Sequence, residues 1–529
     1  MSLAQVLRLV FVRSTSSADG NPARDPAPRE NLLVSIALVL VTIIAVGLRA
    51  GYLSRPYYQC DEDVTIAVAA GLDYPQRWTT NWIAYPVPQE FHYDEFNFSS
   101  YHYLAHGWLT AVERVVSPEH RLTILRALNL PLALATLLFT AMAVRRAFGW
   151  LPGAFAAAVV AVLPILVQDS HYARCDSMLT AGVAAILWLV APRSGLRNWH
   201  WAAAGALLGW LVACKFSLVL LGPLLLGAAL AGGAARSSAW AEAGGRCGWL
   251  GLGGCLGLVA GMPGALTDPH AFWRGVQTLR SYYDGFHPPY SLPDHGRVMG
   301  NLLSYFVAII GPGLLTLAGL GAIHLWRRWP RCWAAGLSLT LVLSVLVFGS
   351  QRFIAERNLS AFLPLLAVLA GSGLAWILAR TRTLPGLPGR VVPWVATLAV
   401  LATLVVPLRL SWRLVSRGFS LAEYKSQLAL VDRMAAEAAQ QKFVFCREGL
   451  VDAESYSAAA DVAKAGPTVF AIYDFQDANS KEFIARLARN FGGRILARRE
   501  GLFPDLPCCT LTTMISARLF VIQCRPGPP

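Results

Sequence analysis

The sequence predicts a polytopic α-helical membrane protein carrying a small C-terminal α/β domain. Three observations carry this prediction. The 529 residues are 55% hydrophobic and 14% charged, whereas soluble domains hold roughly 25% charge. Apolar runs long enough to cross a hydrocarbon core of roughly 30 Å recur as far as Arg409. Beyond Trp412 the composition changes: Lys425, Lys442, Lys464 and Lys481 appear, while Lys215 is the one lysine that precedes them.

The formal charge of +14, from 45 Lys+Arg against 31 Asp+Glu, would suit a nucleic-acid binder. Its distribution excludes that class. The arginines sit in short connections between apolar runs, where they orient a membrane protein, and form no stripe interleaved with aromatics.

Residues 1–30 are polar and rich in Arg and Pro, and predict a disordered cytoplasmic tail. The run Asn31–Ala50 exceeds a signal-peptide core of about 7–15 residues and has no small-residue cleavage signal after it, so it reads as a retained anchor. Further spans are expected at 122–144, 152–168, 177–191, 199–213, 216–232, 247–265, 300–325, 333–349, 359–379 and 391–409, about eleven in all. Tyr103–Val116 is short and carries Glu113 and Arg114, which predicts a helix lying at the interface. With the N-terminus inside, Arg145, Arg146, Arg193, Arg197, Arg236, Arg246, Arg327, Arg328, Arg331, Arg380, Arg382 and Arg390 all fall on the cytoplasmic side. Most acids fall outside. The membrane domain is thus 31–411, with outer loops 51–121, 169–176 and 266–298, and an odd number of crossings places 412–529 outside.

In that tail, Lys442–Cys446, Thr468–Ile472 and Leu519–Gln523 read as strands. Asp477–Phe491 reads as an amphipathic helix with Phe483, Ile484, Leu487 and Phe491 on one face. Cys446, Cys508, Cys509 and Cys524 could pair in an outer compartment, with connectivity open.

The unusual chemistry concentrates on the outer side. The first loop opens with Asp61-Glu62-Asp63 and continues through aromatics that include Trp78, Trp82, Tyr85, Tyr101 and Tyr103, with His92 and His102 among them. Solvated acids and interfacial anchors are the bland reading. A second, very short loop packs Asp169, His171, Arg174 and Asp176 between two apolar spans. An ion at the bilayer centre costs roughly 2.5–3.5 kcal/mol on the insertion scale, so these residues belong at the rim or in a cavity. The bland alternative is an Arg174–Asp176 pair that holds two helix ends. The third loop holds Arg280, Tyr282 and Asp284, and Arg352, Glu356 and Arg357 follow a later span. Lys215 interrupts the apolar run 199–232 and requires an anion, for which a phosphate is a natural partner. Carboxylates that take a proton, cations that stabilise a phosphate leaving group and aromatics at the lipid boundary together suit transfer from a lipid-linked phosphosugar. No nucleotide is needed, which agrees with the missing phosphate-binding glycine motif.

Several motifs in order carry a resemblance: Asp61-Glu62, Arg145-Arg146-Ala147-Phe148-Gly149, Arg174-Cys175-Asp176, Lys215, and Glu356-Arg357-Asn358-Leu359 with Pro364. Over about residues 31–410 the chain resembles the GT-C glycosyltransferases, of the family 39 type that includes protein O-mannosyltransferases and the aminoarabinose transferase of lipid A. The resemblance implies an inverting, hexosyltransferase-like enzyme that uses a polyprenyl-phosphate-linked sugar at the outer face of a cell-envelope membrane. It implies Asp61 as catalytic base with Glu62 beside it, Asp176 as the second acid, and Lys215 and Arg357 facing the carrier phosphate. Arg174 and Arg352 complete the cationic set. Asp169, His171, His102, Tyr103 and Tyr282 are the candidates for contacting substrate. Sugar and acceptor stay open. Members differ on metal dependence, so a divalent cation is left open too and no ligand set is assigned. One departure is that Phe96–Tyr103 contains no proline where many relatives carry a His-Pro-Pro-like segment.

Two other classes compete. A transporter or flippase of lipid-linked glycans would break its spans near midplane, and Gly222-Pro223 and Gly311-Pro312-Gly313 are such breaks. A non-catalytic assembly subunit would tolerate replacement of the acids. The gathering of polar residues at the outer ends of spans favours the enzyme.

Overall fold

A computed structural model describes residues 28–55, 62–71, 99–192, 196–231, 239–267, parts of 269–280, 295–351, 356–381, 391–419, 422–438, 441–446, 450, 453–474, 478–500 and 518–525. The chain is mostly helical. In order come α1 (Pro28–Ala50), α2 (Glu62–Gly71), α3 (Ser99–Val112), α4 (Arg121–Phe148), α5 (Trp150–Val162), α6 (Pro164–Asp169), α7 (Asp176–Val190) and α8 (Asn198–Val212). A 3-10 turn, Phe216–Leu221, leads into α9 (Gly222–Leu230), followed by α10 (Ala239–Gly261), α11 (His295–Ile310), α12 (Pro312–Arg328) and α13 (Arg331–Gly349). A second 3-10 segment, Glu356–Phe362, opens α14 (Leu363–Thr381), and α15 (Val391–Ala402) and α16 (Val405–Arg413) close the bundle.

Among the described residues, four helical stretches are long and apolar enough to cross a membrane: 118–148, 331–349, 356–381 and 395–419. The other expected spans fall on shorter or interrupted helices. The run 152–168 is α5 and α6, broken at Leu163 because Pro164 cannot continue the ladder of the preceding turn. Leu32, Ile36, Val39, Leu40 and Ile43 of α1 are exposed, as are Leu252 and Leu256 of α10 and Leu339, Val342 and Leu346 of α13. Apolar surface in rows of that length is what hydrocarbon covers.

The run 300–325 is bent rather than straight: α11 and α12, apolar enough together to cross, meet at 97°. Gly311 sits at the corner with φ +84, a left-handed conformation that suits glycine, and Pro312 starts the next helix. The run 391–409 falls in the membrane-length stretch 395–419, with a short turn between α15 and α16. The short helix expected at 103–116 is present as α3, four residues earlier at its start.

The bundle is held tightest where side chains are smallest. In the contact between α8 and α10, a Cβ at Gly209 would lie 2.0 Å from the Gly254 carbonyl oxygen, and one at Gly257 1.9 Å from that of Ala206. Backbones approach this closely only through small residues, the packing that membrane helices use in place of a hydrophobic drive.

Residues 422–525 carry α17 (Ala422–Glu437), β1 (Lys442–Cys446), α18 (Ala453–Ala465), β2 (Thr468–Asp474), α19 (Ala478–Asn490), β3 (Arg494–Arg499) and β4 (Arg518–Cys524). The sheet order is β1-β2-β4-β3, with β1 and β2 parallel and the other pairs antiparallel. β2 is buried along its whole length. Val431 and Ala438, at and just beyond α17, pack on one face with Val469, Ala471 and Val521; Ala460 of α18 and Leu487 of α19 pack on the other with Phe470 and Ile522. β3 was not foreseen. It is an exposed edge strand with a bulge between Ile495 and Ala497, a device that blunts an edge against further pairing.

Candidate active site

Helix ends and the loops that join them converge on one polar cluster. Its anchor is Arg126, one turn into α4. Nε donates to Glu62 Oε1 at 2.8 Å and Nη2 to Oε2 at 2.7 Å. Nη1 donates to the carbonyls of Leu53 and Arg55 at 2.9 and 2.8 Å. Glu62 Oε1 also accepts the Ala173 N–H at 2.7 Å. Both side chains of this pair are wholly inaccessible to solvent. Burial alone would raise the Glu62 carboxyl; Arg126, the charge of Arg55 and the Ala173 N–H outweigh it and hold the group below its ordinary range. Glu62, the catalytic candidate expected beside Asp61, therefore ties the start of α2 to the loop 169–176 through Arg126 and the Ala173 N–H.

The second loop is fixed at several more points. Asn129 donates from Nδ2 to the Tyr172 carbonyl, and Arg55 donates to that of His171 at 2.8 Å. His171 is buried, its ring stacked on Phe419 at 4.1 Å and its Nδ1 2.7 Å from the Val167 carbonyl. Burial pushes its pKa down to about 3. His171 is thus a neutral ring packed inside the loop.

From this fixed loop the charged groups project together. Lys215 Nζ, just past the end of α8, lies 3.3 Å from Asp176 Oδ1. Arg174 Nε is 3.8 Å from Asp176 Oδ2, and its Nη2 is 3.9 Å from Asp169 Oδ1. Arg357 also acts on Asp176 from the segment that opens α14. Three cations thus surround one firmly paired carboxylate, and the anion that Lys215 required is Asp176. Asp169 is buried, with Arg174 3.9 Å away as its nearest cation. Burial first, and then the neighbouring Asp176, raise its pKa to about 7.

Helix α3 packs beside the cluster. Ser99 Oγ donates to the Gly261 carbonyl at 2.6 Å and Ser100 Oγ to that of Trp210 at 2.7 Å. Tyr101 lies within electrostatic reach of Glu62 and Asp176 alike, so this helix spans both loops. His102 is buried and its pKa falls to about 4, and Tyr103 is half-buried beside it. Asp61, Tyr282 and Arg352 lie outside the described residues. Among the described residues, no group of three His, Cys, Asp or Glu side chains could hold a metal ion.

Arg126, Asn129, Arg55 and Phe419 were not foreseen. Arg126 had a legible signal, a lone cation inside the apolar run 122–144 that had to find a buried partner.

Residues 108–262 match the family model of the dolichyl-phosphate-mannose-protein mannosyltransferases. Arg126, the loop 169–176 and Lys215 fall inside this mannosyltransferase-like segment, while Glu62 and Arg357 lie outside it. A search of curated proteins finds no match to the chain. Among solved structures, ArnT from Cupriavidus metallidurans in the apo state is similar over 95% of this chain and 100% of its own, at 13% identity and a TM-score of 0.48. The same protein bound to undecaprenyl phosphate covers 94% and 98%, at 14% identity and TM-score 0.46. The archaeal oligosaccharyltransferase AglB from Archaeoglobus fulgidus, in complex with an inhibitory peptide and a dolichol-phosphate, covers 84% and 70%, at 12% identity and TM-score 0.49.

Proposed function

We propose that the protein is an inverting glycosyltransferase that moves a sugar from a polyprenyl-phosphate carrier to an acceptor at the extracytoplasmic face of the membrane. The observation that carries this reading is the gathering of Lys215, Arg174 and Arg357 around Asp176 at the rim of the bundle. Three positive charges face the carboxyls of Asp176 and Asp169, so the cluster keeps positive charge for a further anion. The match to a family named for a dolichyl-phosphate sugar supports a phosphate-linked carrier as that anion.

The chemistry follows from the charges. The acceptor oxygen attacks the anomeric carbon as the bond to the carrier phosphate breaks. The phosphate leaves with an extra negative charge, which Lys215, Arg174 and Arg357 stabilise. A carboxylate takes the acceptor proton. Asp61 has that role in this proposal, because Glu62 is consumed by Arg126 and Asp176 by its cations. Glu62 becomes a positioning residue that ties the segment bearing Asp61 to the loop bearing Asp176.

The test is a transfer assay in membranes or detergent with a polyprenyl-phosphate sugar as donor. Asp61→Asn is expected to lose turnover while donor binding stays normal; wild-type turnover in that variant would remove Asp61 from the mechanism. A flippase would move the lipid-linked sugar across vesicles without breaking the phosphate–sugar bond, so release of free polyprenyl phosphate separates the two readings.

A further inference from the structure

The membrane bundle hands over to the sheet at Leu414–Phe419, a wider π-helical turn. This stretch is no slack linker. Leu414, Val415 and Phe419 are buried. Just ahead of it, Ser411 Oγ donates to the Val162 carbonyl at 2.7 Å, which pins α16 to the end of α5. Phe419 itself has no solvent exposure and meets three residues of the outer loops. Its ring stacks on His171 at 4.1 Å with 14° between planes, meets Tyr172 edge-on at 5.7 Å, and lies 4.7 Å from the Arg55 guanidinium carbon.

These partners are the residues that shape the acidic loop. Arg55 bonds the His171 carbonyl, and its own carbonyl is held by Arg126. Arg55 and Arg174 both lie over the Tyr172 ring, at 4.8 and 4.7 Å. A chain of contacts therefore runs from Phe419 through Tyr172 to Arg174, which faces both Asp169 and Asp176. Three residues after Phe419 comes α17, one of the helices that cover the sheet.

We infer that Phe419 is a positioning residue for the reaction, a ring supplied by the last turn of the bundle's final helical stretch that clamps the loop 169–176 in its working geometry. The catalytic consequence rests on the proposed transfer reaction; the clamp does not.

The test uses the full-length protein with Phe419→Ala, Phe419→Leu and Phe419→Tyr. Two readouts are taken: amide hydrogen exchange across 169–175, and donor KM and kcat. Losing an aromatic stack together with a cation–π contact implies about tenfold faster exchange in the loop. Phe419→Ala is expected to show this with exchange in β2 and β4 unchanged, and to raise donor KM by a similar factor, because Arg174 loses its seat. Phe419→Leu keeps apolar bulk without a ring and is expected to follow Ala; it carries the comparison should the Ala variant fail to fold. Phe419→Tyr keeps the ring and is expected to restore the slow exchange of the loop. Loop exchange that stays at the wild-type rate in both ringless variants would overturn the clamp, as would a kcat loss that merely follows the folded fraction with KM unchanged. A wild-type protein that transfers no sugar from any polyprenyl phosphate, with loop exchange still dependent on the ring, would remove the transferase reading and leave the clamp standing.

Discussion

Replacing Arg126 by methionine removes the hub of the outer loops and leaves the helix it sits on intact. Methionine keeps apolar bulk and helix propensity, so the loss reports the charge and its bonds. Arg126 makes two bonds to Glu62 and one each to the carbonyls of Leu53 and Arg55. Breaking a buried ion pair from one side costs about 3–5 kcal/mol, because the remaining charge is left in a medium that cannot solvate it. Each orphaned carbonyl adds about 1–3 kcal/mol. The sum, about 5–11 kcal/mol, would lower the thermal midpoint by roughly ten degrees or more at about 2 °C per kcal/mol. The assay is thermal unfolding of the detergent-solubilised protein, followed by tryptophan fluorescence and by retention of the monodisperse peak. The diagnostic comparison is the double variant Glu62→Leu/Arg126→Met. It carries one more substitution, yet it no longer buries an unpaired carboxylate, so it should be more stable than Arg126→Met alone by about 3 kcal/mol. It should still lack turnover, since nothing holds the Ala173 N–H. A single variant within two degrees or so of wild type, or a double variant less stable than the single, would refute the reasoning.

Lys215→Ala should weaken donor binding about 10- to 100-fold, the worth of one charge-assisted bond of roughly 1.5–3 kcal/mol, and Lys215→Arg should recover part of it; titration with polyprenyl phosphate measures both. Glu62 has a depressed folded-state pKa, so its stabilisation is full above the ordinary glutamate range and is lost as pH falls through and below it; Glu62→Gln should flatten the acid limb of a midpoint-versus-pH curve. Asp169 has the opposite sign. Its folded-state pKa is raised to about 7, so stability declines as pH rises from the ordinary aspartate range to near neutrality, and Asp169→Asn should be more stable than wild type at pH 8 and show no such decline. Gly209→Leu should prevent α8 and α10 from closing, since even a Cβ there would meet the Gly254 carbonyl at 2.0 Å; the yield of monodisperse protein checks this.

The helical membrane class, β1 and the helix at 478–490 were legible because each rests on local composition or period. Lys442–Cys446 is an apolar β-forming run and was read to the residue. Arg494–Arg499 was not read, because three arginines in six residues give no strand pattern and pairing with β4 decides its form. The break at Gly311 was present as Gly-Pro-Gly, but the hydropathy on both sides joined the two helices into one run. In the site, the meeting of Asp176, Arg174 and Lys215 was legible from cost: charge among apolar residues has to find a partner. The same logic, applied to Arg126, would have found Glu62. Phe419 left no mark in the sequence, because a phenylalanine 248 positions after His171 carries no chemistry until the fold stacks the two rings.

The account stands on a carrier phosphate meeting the cations around Asp176. The direct measurement is an electron cryo-microscopy map of the wild-type protein with polyprenyl phosphate bound. The account predicts phosphate density within hydrogen-bond reach of Lys215 Nζ and beside Arg174 and Arg357, with the Glu62–Arg126 pair unbroken. Phosphate density elsewhere, with Lys215 still paired to Asp176 alone, would contradict it.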